Sequence, residues 1–597
     1  MHHLDRATAM ILLHQLAQEA GIARLWTDAD GMEQVVSDDS LRAILASLGL
    51  PADNDAAVTV SRAALHQRRS ARPGLVTVDC GEPLPLPGGK FTLRDETDAV
   101  LKIDSECGLS VPGYYRADLD DGSVMLAVAP LTCPAIRTRG WGVTVQIPSL
   151  REEEKDFGDF DTLIEAVTRL GACGADAVAL SPVHAQSLLA PGRFAPYSPS
   201  SRVELNALLL PVHRRGVAPS ATLIEWDVAG PAKLKALEEA FRRSAAKGNA
   251  DAQVDSFEAF TQAQARAKLD DVQREAKNAG MAIGVITDLA VGVDPQGEEA
   301  RKDPGAFLQG LHIGAPPDPL GPQGQDWGLT SYSPQGLADR GFAPFIALLR
   351  TNMPRGGGIR IDHGFGLQRL WIIPQGRPAT EGAYLSYPFN DMLRLVRLEA
   401  WRAASVVIAE DLGTRPPGFG EALEKANIYG MTVLPFTRGE EGFRPASAYP
   451  ERSVAMSGTH DIATITGWWT GRDLDWNRRL DRGGETPAER AEARSALWTA
   501  IGGGAPQPAD DDAAPVIERA LAFLAGSTAP LLLVPMEDLL GLAEQPNLPG
   551  TTNEHPNWRR RLPAPIERLL SDPDVQQRIA CLSTIRPKTA LQKRVQP

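Results

Sequence analysis

Eight short runs rich in Val, Ile and Leu recur at residues 141–147, 177–182, 282–289, 358–362, 406–410, 431–435, 454–457 and 530–535. Their apolar character is nearly continuous, as it must be in strands buried on both faces. Helical stretches separate them. Eight such strands with helical connections predict an α/β chain closed as a (β/α)8 TIM barrel, with its chemistry at the C-terminal strand ends. A doubly wound sheet is the rival architecture. It needs a switch-point crevice and usually a phosphate loop, and the sequence holds no GxGxxG or GxxxxGK[ST] run.

Two smaller units precede the barrel. Residues 1–60 read as helical: Ser37 is an N-cap, Leu41, Ile44, Leu45 and Leu48 follow at helical spacing, and Gly49 and Pro51 stop the run. Across 70–135 the period shortens to strands between Gly, Pro and Asp turns, including 99–103, 114–116 and 124–128. A small β-sandwich-like domain is expected there, with 134–139 as the boundary to the catalytic barrel of 140–597. The barrel carries large insertions, because 185–280 is too long for one crossover. Thr486-Pro487-Ala488-Glu489 reads as a capping box opening a helix that ends at Gly502, and 507–512 reads as a mobile linker.

The formal net charge of -14 disfavours nucleic acid and anionic membranes as partners and is indifferent to a neutral sugar. Five cysteines, odd in number and without a CxxC pair, speak against a disulfide framework or a cysteine zinc site and for the cytoplasm. The apolar run 9–13 is broken at once by His14, so no signal peptide is expected. No apolar run nears the roughly 20 residues that span a bilayer.

The strand ends carry acids. Asp288, Asp362, Glu410 and Asp461 end or follow the third, fourth, fifth and seventh strands. In Gly358-Ile359-Arg360-Ile361-Asp362-His363-Gly364, Arg360 and Asp362 are two apart and share a strand face. A carboxylate beside a guanidinium stays ionised and suits a nucleophile. Glu410 follows four apolar residues whose surroundings favour its protonated form, as an acid that later acts as base requires. Asp461 with His460 is placed to grip sugar hydroxyls. Such a set fits glycosidic bond chemistry. Tyr197, in a proline-bounded loop, and Trp327, with Gln325 and Asp326 beside it in 314–333, offer flat faces for pyranose rings. The loop 314–333, rich in Gly and Pro, is expected to be shaped by turns and to shield an intermediate from water. Each element has a plain structural alternative: an Arg–Asp pair at a strand end, Glu410-Asp411 as an N-cap, His460 as a hydrogen-bonder, rings that brace their loops. His184, His363 and His460 raise a metal reading, but their spacing matches no ligand motif.

Taken together, Arg360-Ile361-Asp362-His363 through Leu370-Trp371-Ile372-Ile373-Pro374, Ala409-Glu410-Asp411-Leu412-Gly413 and Gly458-Thr459-His460-Asp461 with Gly467-Trp468-Trp469 resemble the amylomaltases, the 4-alpha-glucanotransferases or disproportionating enzymes of glycoside hydrolase family 77. Leu180-Ser181-Pro182-Val183-His184, Asp288-Leu289-Ala290-Val291-Gly292-Val293-Asp294, Gly314-Ala315-Pro316-Pro317-Asp318 and Glu544-Gln545-Pro546-Asn547-Leu548-Pro549-Gly550 extend the resemblance over about 140–561. The N-terminal units resemble the extension of the longer bacterial members. The loop Gly364-Phe365-Gly366-Leu367 departs from the Phe-Arg-Gly-Phe form of the shorter enzymes. The resemblance implies a retaining double displacement on α-1,4-glucans (maltodextrins, starch or glycogen segments), with no metal or organic cofactor. It makes Asp362 the nucleophile, Glu410 the acid/base and Asp461 the transition-state stabiliser. Arg360, His460, Asp288, Tyr197, Gln325, Trp327 and His363 are the expected sugar-binding residues. An amylase-like hydrolase using the same acids, and a catalytically silent glycan-binding barrel, are the rivals.

Overall fold

A computed structural model describes residues 2–28, 31–86, 91–101, 108–153, 155–212, 222–246, 256–317, 321 and 323–588. Its centre is an eight-stranded parallel sheet built from the expected runs. The strands are β1 (Gly140–Val145), β2 (Ala177–Leu180), β3 (Gly284–Leu289), β4 (Gly358–Ile361), β5 (Val406–Ala409), β6 (Gly430–Val433), β7 (Ser453–Met456) and β8 (Leu531–Pro535). They pair in chain order from β1 to β5 and from β6 through β8 back to β1. One parallel bridge between Ile408 and Tyr429 closes β5 against β6, with Tyr429 N–H donating to Val407 O at 3.0 Å and Ala409 N–H to Tyr429 O at 2.8 Å. Side chains alternate between two apolar environments, which explains the unbroken hydrophobic runs. Val406 and Ile408 join the barrel interior with Ile286, Val454 and Leu533, while Val407 and Ala409 pack outward.

The N-terminal helices His2–Glu19, Asp38–Ser47 and Asp55–Ser70 include the Ser37 cap, whose hydroxyl accepts from Ser40 N–H. The strands after them form no sandwich. Leu75–Asp79, Gly122–Ala129, Gly113–Leu119, Thr92–Arg94 and Val100–Leu101 make one mixed five-stranded sheet, its first pair parallel. A second sheet is unnecessary because the helix Phe389–Ala403, between β4 and β5, covers one face. Lys102 and Ile103 of the expected third strand, and Cys107, lie outside the described residues.

The expected turn-shaped loop 314–333 also departs from its reading. Gln325–Leu329 is a strand, paired antiparallel with Leu311–Ala315 in a four-stranded sheet completed by Arg369–Pro374 and Ala383–Ser386. The ladder partners come from both sides of β4, so local glycine and proline content does not reveal them. Asp318 lies outside the described residues. The long insertion folds as Trp226–Ala246 and Phe257–Asn278. Thr486 and Glu489 form the capping box of Pro487–Ile501, capped at Gly502. The stretch 507–512 is pinned instead of loose: Arg494 pairs with Asp510 at 2.6 Å and the Trp469 indole donates to Ala509 O at 3.0 Å. No described helix is long and apolar enough to cross a membrane.

The five-stranded sheet grips the helix between β4 and β5 through charge. Asp79 accepts from Arg397 at 2.5 Å, and Tyr114 donates to buried Glu399 at 2.6 Å. Arg397 is almost wholly enclosed, so losing its carboxylate leaves a buried charge short of a partner. Asp79→Ala should therefore cost about 3 kcal/mol, read as a drop of several degrees in the thermal unfolding midpoint. An unchanged midpoint would show that the Leu131 carbonyl, which also accepts from Arg397, suffices.

Candidate active site

Register, more than side-chain chemistry, assembles the rim. Asp288 on β3 lies opposite Arg360 on β4, and Arg360 opposite Ile408 on β5. Each parallel ladder runs one bond further. Asp362 N–H donates to Leu289 O at 3.0 Å and Glu410 N–H to Ile361 O at 2.9 Å. Asp362 and Glu410 therefore leave adjacent strand ends at one level. Gly364 N–H donates to Glu410 O at 2.8 Å, and a Cβ there would sit 2.9 Å from that same oxygen, so only glycine passes so close.

Arg360 is the hub. Its Nη1 reaches both Asp288 oxygens, at 2.7 and 2.8 Å, and Asp362 Oδ1 at 3.0 Å. Tyr197 O–H donates to Asp288 Oδ2 at 2.5 Å. Asp288, expected to contact sugar, thus has both oxygens engaged by Arg360 and Tyr197. Burial pushes the Asp288 carboxyl upward against Arg360, and holds the Tyr197 phenol well above its ordinary range.

Glu410 sits in a different setting. His363 N–H donates to Oε2 at 3.0 Å and Leu412 N–H to Oε1 at 2.8 Å. His363 adopts a left-handed backbone, φ +44°, at the point where its N–H meets that oxygen. Burial raises the Glu410 carboxyl to about 7, helped by nearby Asp362 and opposed by Arg360. That suits a group that must carry a proton near neutral pH. Burial lowers the His363 imidazole to about 4, leaving it neutral. Its ring meets Trp327 edge-on at 5.2 Å. The Trp327 indole N–H donates to Gln325 Oε1 at 3.1 Å, so Gln325 holds that ring, and Asp326 pairs with His312 at 3.1 Å.

On the far side, His460 Nε2 lies 3.3 Å from Asp461 Oδ2. Burial disfavours charge on His460, but Asp461 outweighs it and raises the imidazole above its ordinary value. Asp461 opens to the mouth with its side chain nearly half exposed; partial desolvation works to raise its carboxyl, and His460 with Asn547 outweighs it and holds it below its ordinary value. The Tyr197 and His460 rings stack at 4.6 Å, with Trp558 tilted against both at 5.5 and 5.3 Å. The chain thus brings Tyr197, Asp288, Arg360, Asp362, His363, Glu410, His460 and Asp461 to one mouth, with Gln325 and Trp327 joining through His363.

The metal reading finds no shared site for its three histidines among the described residues. His184 is buried, and its Nε2 accepts from Ala290 N–H at 3.1 Å, bracing the loop after β3. Glu204, Glu258 and Glu298 do cluster, but Lys302 Nζ already bridges all three at 3.1, 2.9 and 2.7 Å.

The sequence offers Asn547 only as part of the Glu544–Gly550 run, with no role attached, and does not single out Trp558 or Glu537. Asn547 lies 86 residues beyond Asp461, on a loop without periodicity, yet its amide donates to Asp461 Oδ1 at 2.7 Å. Asn547→Ala should cost about 1.5–3 kcal/mol of charge-assisted bonding, roughly a ten- to hundredfold loss of kcat/KM with an unchanged melting midpoint. Wild-type kinetics in this variant would show that His460 alone holds Asp461.

Known proteins show what the chain as a whole is similar to. A family model described as 4-alpha-glucanotransferase matches residues 145–267 and 250–567. The 4-alpha-glucanotransferase of Haemophilus influenzae is 32% identical over 604 residues, 81% of this chain and 86% of the relative. That of Mycobacterium tuberculosis strain H37Rv is 30% identical over 707 residues, covering 96% and 97%. The structure of amylomaltase from Corynebacterium glutamicum superposes with a TM-score of 0.85 at 25% identity, over 96% of this chain and 99% of that one.

Proposed function

The chain belongs to the 4-alpha-glucanotransferase family and is a glycosyl-transferring enzyme, and we propose that its rim acids carry a retaining double displacement on α-1,4-glucans. One observation carries the reading: Asp362 and Glu410 leave neighbouring parallel strands at one level, tied by the 2.9 Å bond from Glu410 N–H to Ile361 O. Adjacent strands lie about 4.8 Å apart, which suits the roughly 5–5.5 Å carboxyl separation of retaining enzymes.

Asp362 attacks the anomeric carbon while Glu410 gives its proton to the departing glucan oxygen, leaving a glycosyl-enzyme. Glu410, now a carboxylate, takes the proton from the 4-hydroxyl of an acceptor glucan or glucose, which displaces Asp362. Asp461, held by His460 and Asn547, binds sugar hydroxyls most strongly as positive charge builds. Arg360 fixes Asp362, and Asp288 acts through Arg360 and Tyr197. The names of the relatives support 4-α-glucans as donors, and we propose maltodextrins, starch or glycogen segments among them. Family membership favours transfer over hydrolysis by the same acids. The unbridged thiols Cys80, Cys133, Cys173 and Cys581 support a cytoplasmic setting.

Incubation with maltotriose tests the activity. A ladder of longer maltodextrins with glucose is expected, and shortening alone would mean hydrolysis. Glu410 must be protonated to begin the reaction, so donor kcat/KM should fall as pH rises through about 7. Glu410→Gln acting on an α-glucosyl fluoride, which needs no protonation, should load without that alkaline limb. The same limb in the variant would assign it to another group.

Trp327 stands against His363, the residue after the nucleophile, and offers its ring to an incoming acceptor. Trp327→Ala should weaken acceptor binding by about 1–3 kcal/mol, raising the share of free reducing ends formed from maltotriose. Equal loss of transfer and hydrolysis would reduce the ring to a brace for its strand.

A further inference from the structure

The rim holds one more acid, which the double displacement leaves unused. Strand β8 ends at Pro535, and the short helix Met536–Leu540 follows, bringing Glu537 and Asp538 side by side. Their surroundings differ. Asp538 is buried with both oxygens occupied, by the Ser457 hydroxyl at 2.6 Å and by Ile465 N–H at 2.7 Å. It ties the end of β7 to the helix Ile465–Thr470. Both residues line the cavity bounded by Tyr197, Asp288, Arg360 and His460, yet Glu537 has no such side-chain tie among the described residues. Among the described residues no cation pairs with it, and the donor its carboxyl meets is its own backbone N–H.

Burial pushes the Glu537 carboxyl up to about 7, with Asp538 adding to the shift and His460 opposing it. A half-buried carboxyl that faces a cavity with bonding capacity to spare is costly unless something fills it. The fold gains nothing visible from this one, unlike its neighbour. A sugar hydroxyl, which both donates and accepts, is a chemical match, and the cavity is walled by Arg360 and His460, which pair with Asp362 and Asp461.

We infer that Glu537 is a further substrate-contacting group, whose carboxyl hydrogen-bonds a hydroxyl of the glucosyl unit seated against Arg360 and His460. The inference rests on the glucanotransferase reading of the rim. It gives β8 a part in sugar recognition beside the acids delivered by β4, β5 and β7.

Glu537→Leu removes the hydrogen bond while keeping an apolar group of similar size, and Glu537→Gln keeps a group that donates and accepts. Transfer from maltotriose should fall at least tenfold in kcat/KM for Glu537→Leu and stay within about threefold of wild type for Glu537→Gln. Melting midpoints should be unchanged or raised. Monodeoxy α-glucosyl fluorides, lacking the 2-, 3-, 4- or 6-hydroxyl in turn, supply the readout that a packing role would not move. One of them should be a poor donor for wild type yet carry no added penalty in Glu537→Leu. Turnover by Glu537→Leu within twofold of wild type, or identical deoxy penalties in both proteins, would overturn the assignment. A wild-type protein that makes no ladder from maltotriose would sink the glucanotransferase reading and this inference together.

Discussion

One guanidinium organises the mouth of this barrel. Arg360 touches Asp288 through both carboxylate oxygens and Asp362 through one, all from a single nitrogen. Withdrawing a carboxylate from water costs several kcal/mol unless a counter-charge and hydrogen bonds replace the solvent. Asp288 is 3% exposed, and Arg360 supplies that counter-charge while Tyr197 supplies the bond. Glu410 lies on the next strand and accepts two backbone N–H bonds; among the described residues no cation pairs with it, and burial outweighs the pull of Arg360. Two acids on neighbouring strands thus acquire different environments, and with them different duties.

The parallel ladder makes this division possible. Side chains two apart on β4 share a face, so Arg360 and Asp362 point to the same mouth, and the register with β3 sets Asp288 beside them. The barrel is closed between β5 and β6 by one bridge alone. The helix bridging β4 and β5, which connects the strands of the proposed nucleophile and acid, is clamped from outside by the five-stranded sheet through Asp79 and Tyr114. The N-terminal units thereby press on the connection between Asp362 and Glu410. They also reach the sheet bearing Trp327, where Ile22 bridges Leu385 and Trp26 meets Trp371 edge-on at 5.0 Å.

The eight strands were legible because burial on both faces writes an unbroken apolar run, and their acids because a strand end is marked by the first charge after such a run. The remaining departures share a cause: they depend on partners distant in sequence. Gln325–Leu329 is a strand only because Leu311–Ala315 pairs with it. The region 75–129 remains one sheet because the helix Phe389–Ala403 covers it. Asn547 and Trp558 enter the site on loops from beyond β8, where no periodic signal marks them. Glu537 stands two residues past β8, behind the apolar Met536, so the run 530–535 reads only as a strand.

The proposed mechanism has Asp362 form the covalent bond to sugar while Glu410 handles the proton. Trapping settles it. Glu410→Gln is mixed with an α-maltosyl fluoride, quenched with acid, digested and analysed by mass spectrometry. A maltosyl adduct is expected on the peptide bearing Asp362, absent when Asp362→Asn is added. An adduct on another acid, or none while fluoride is still released, would contradict it.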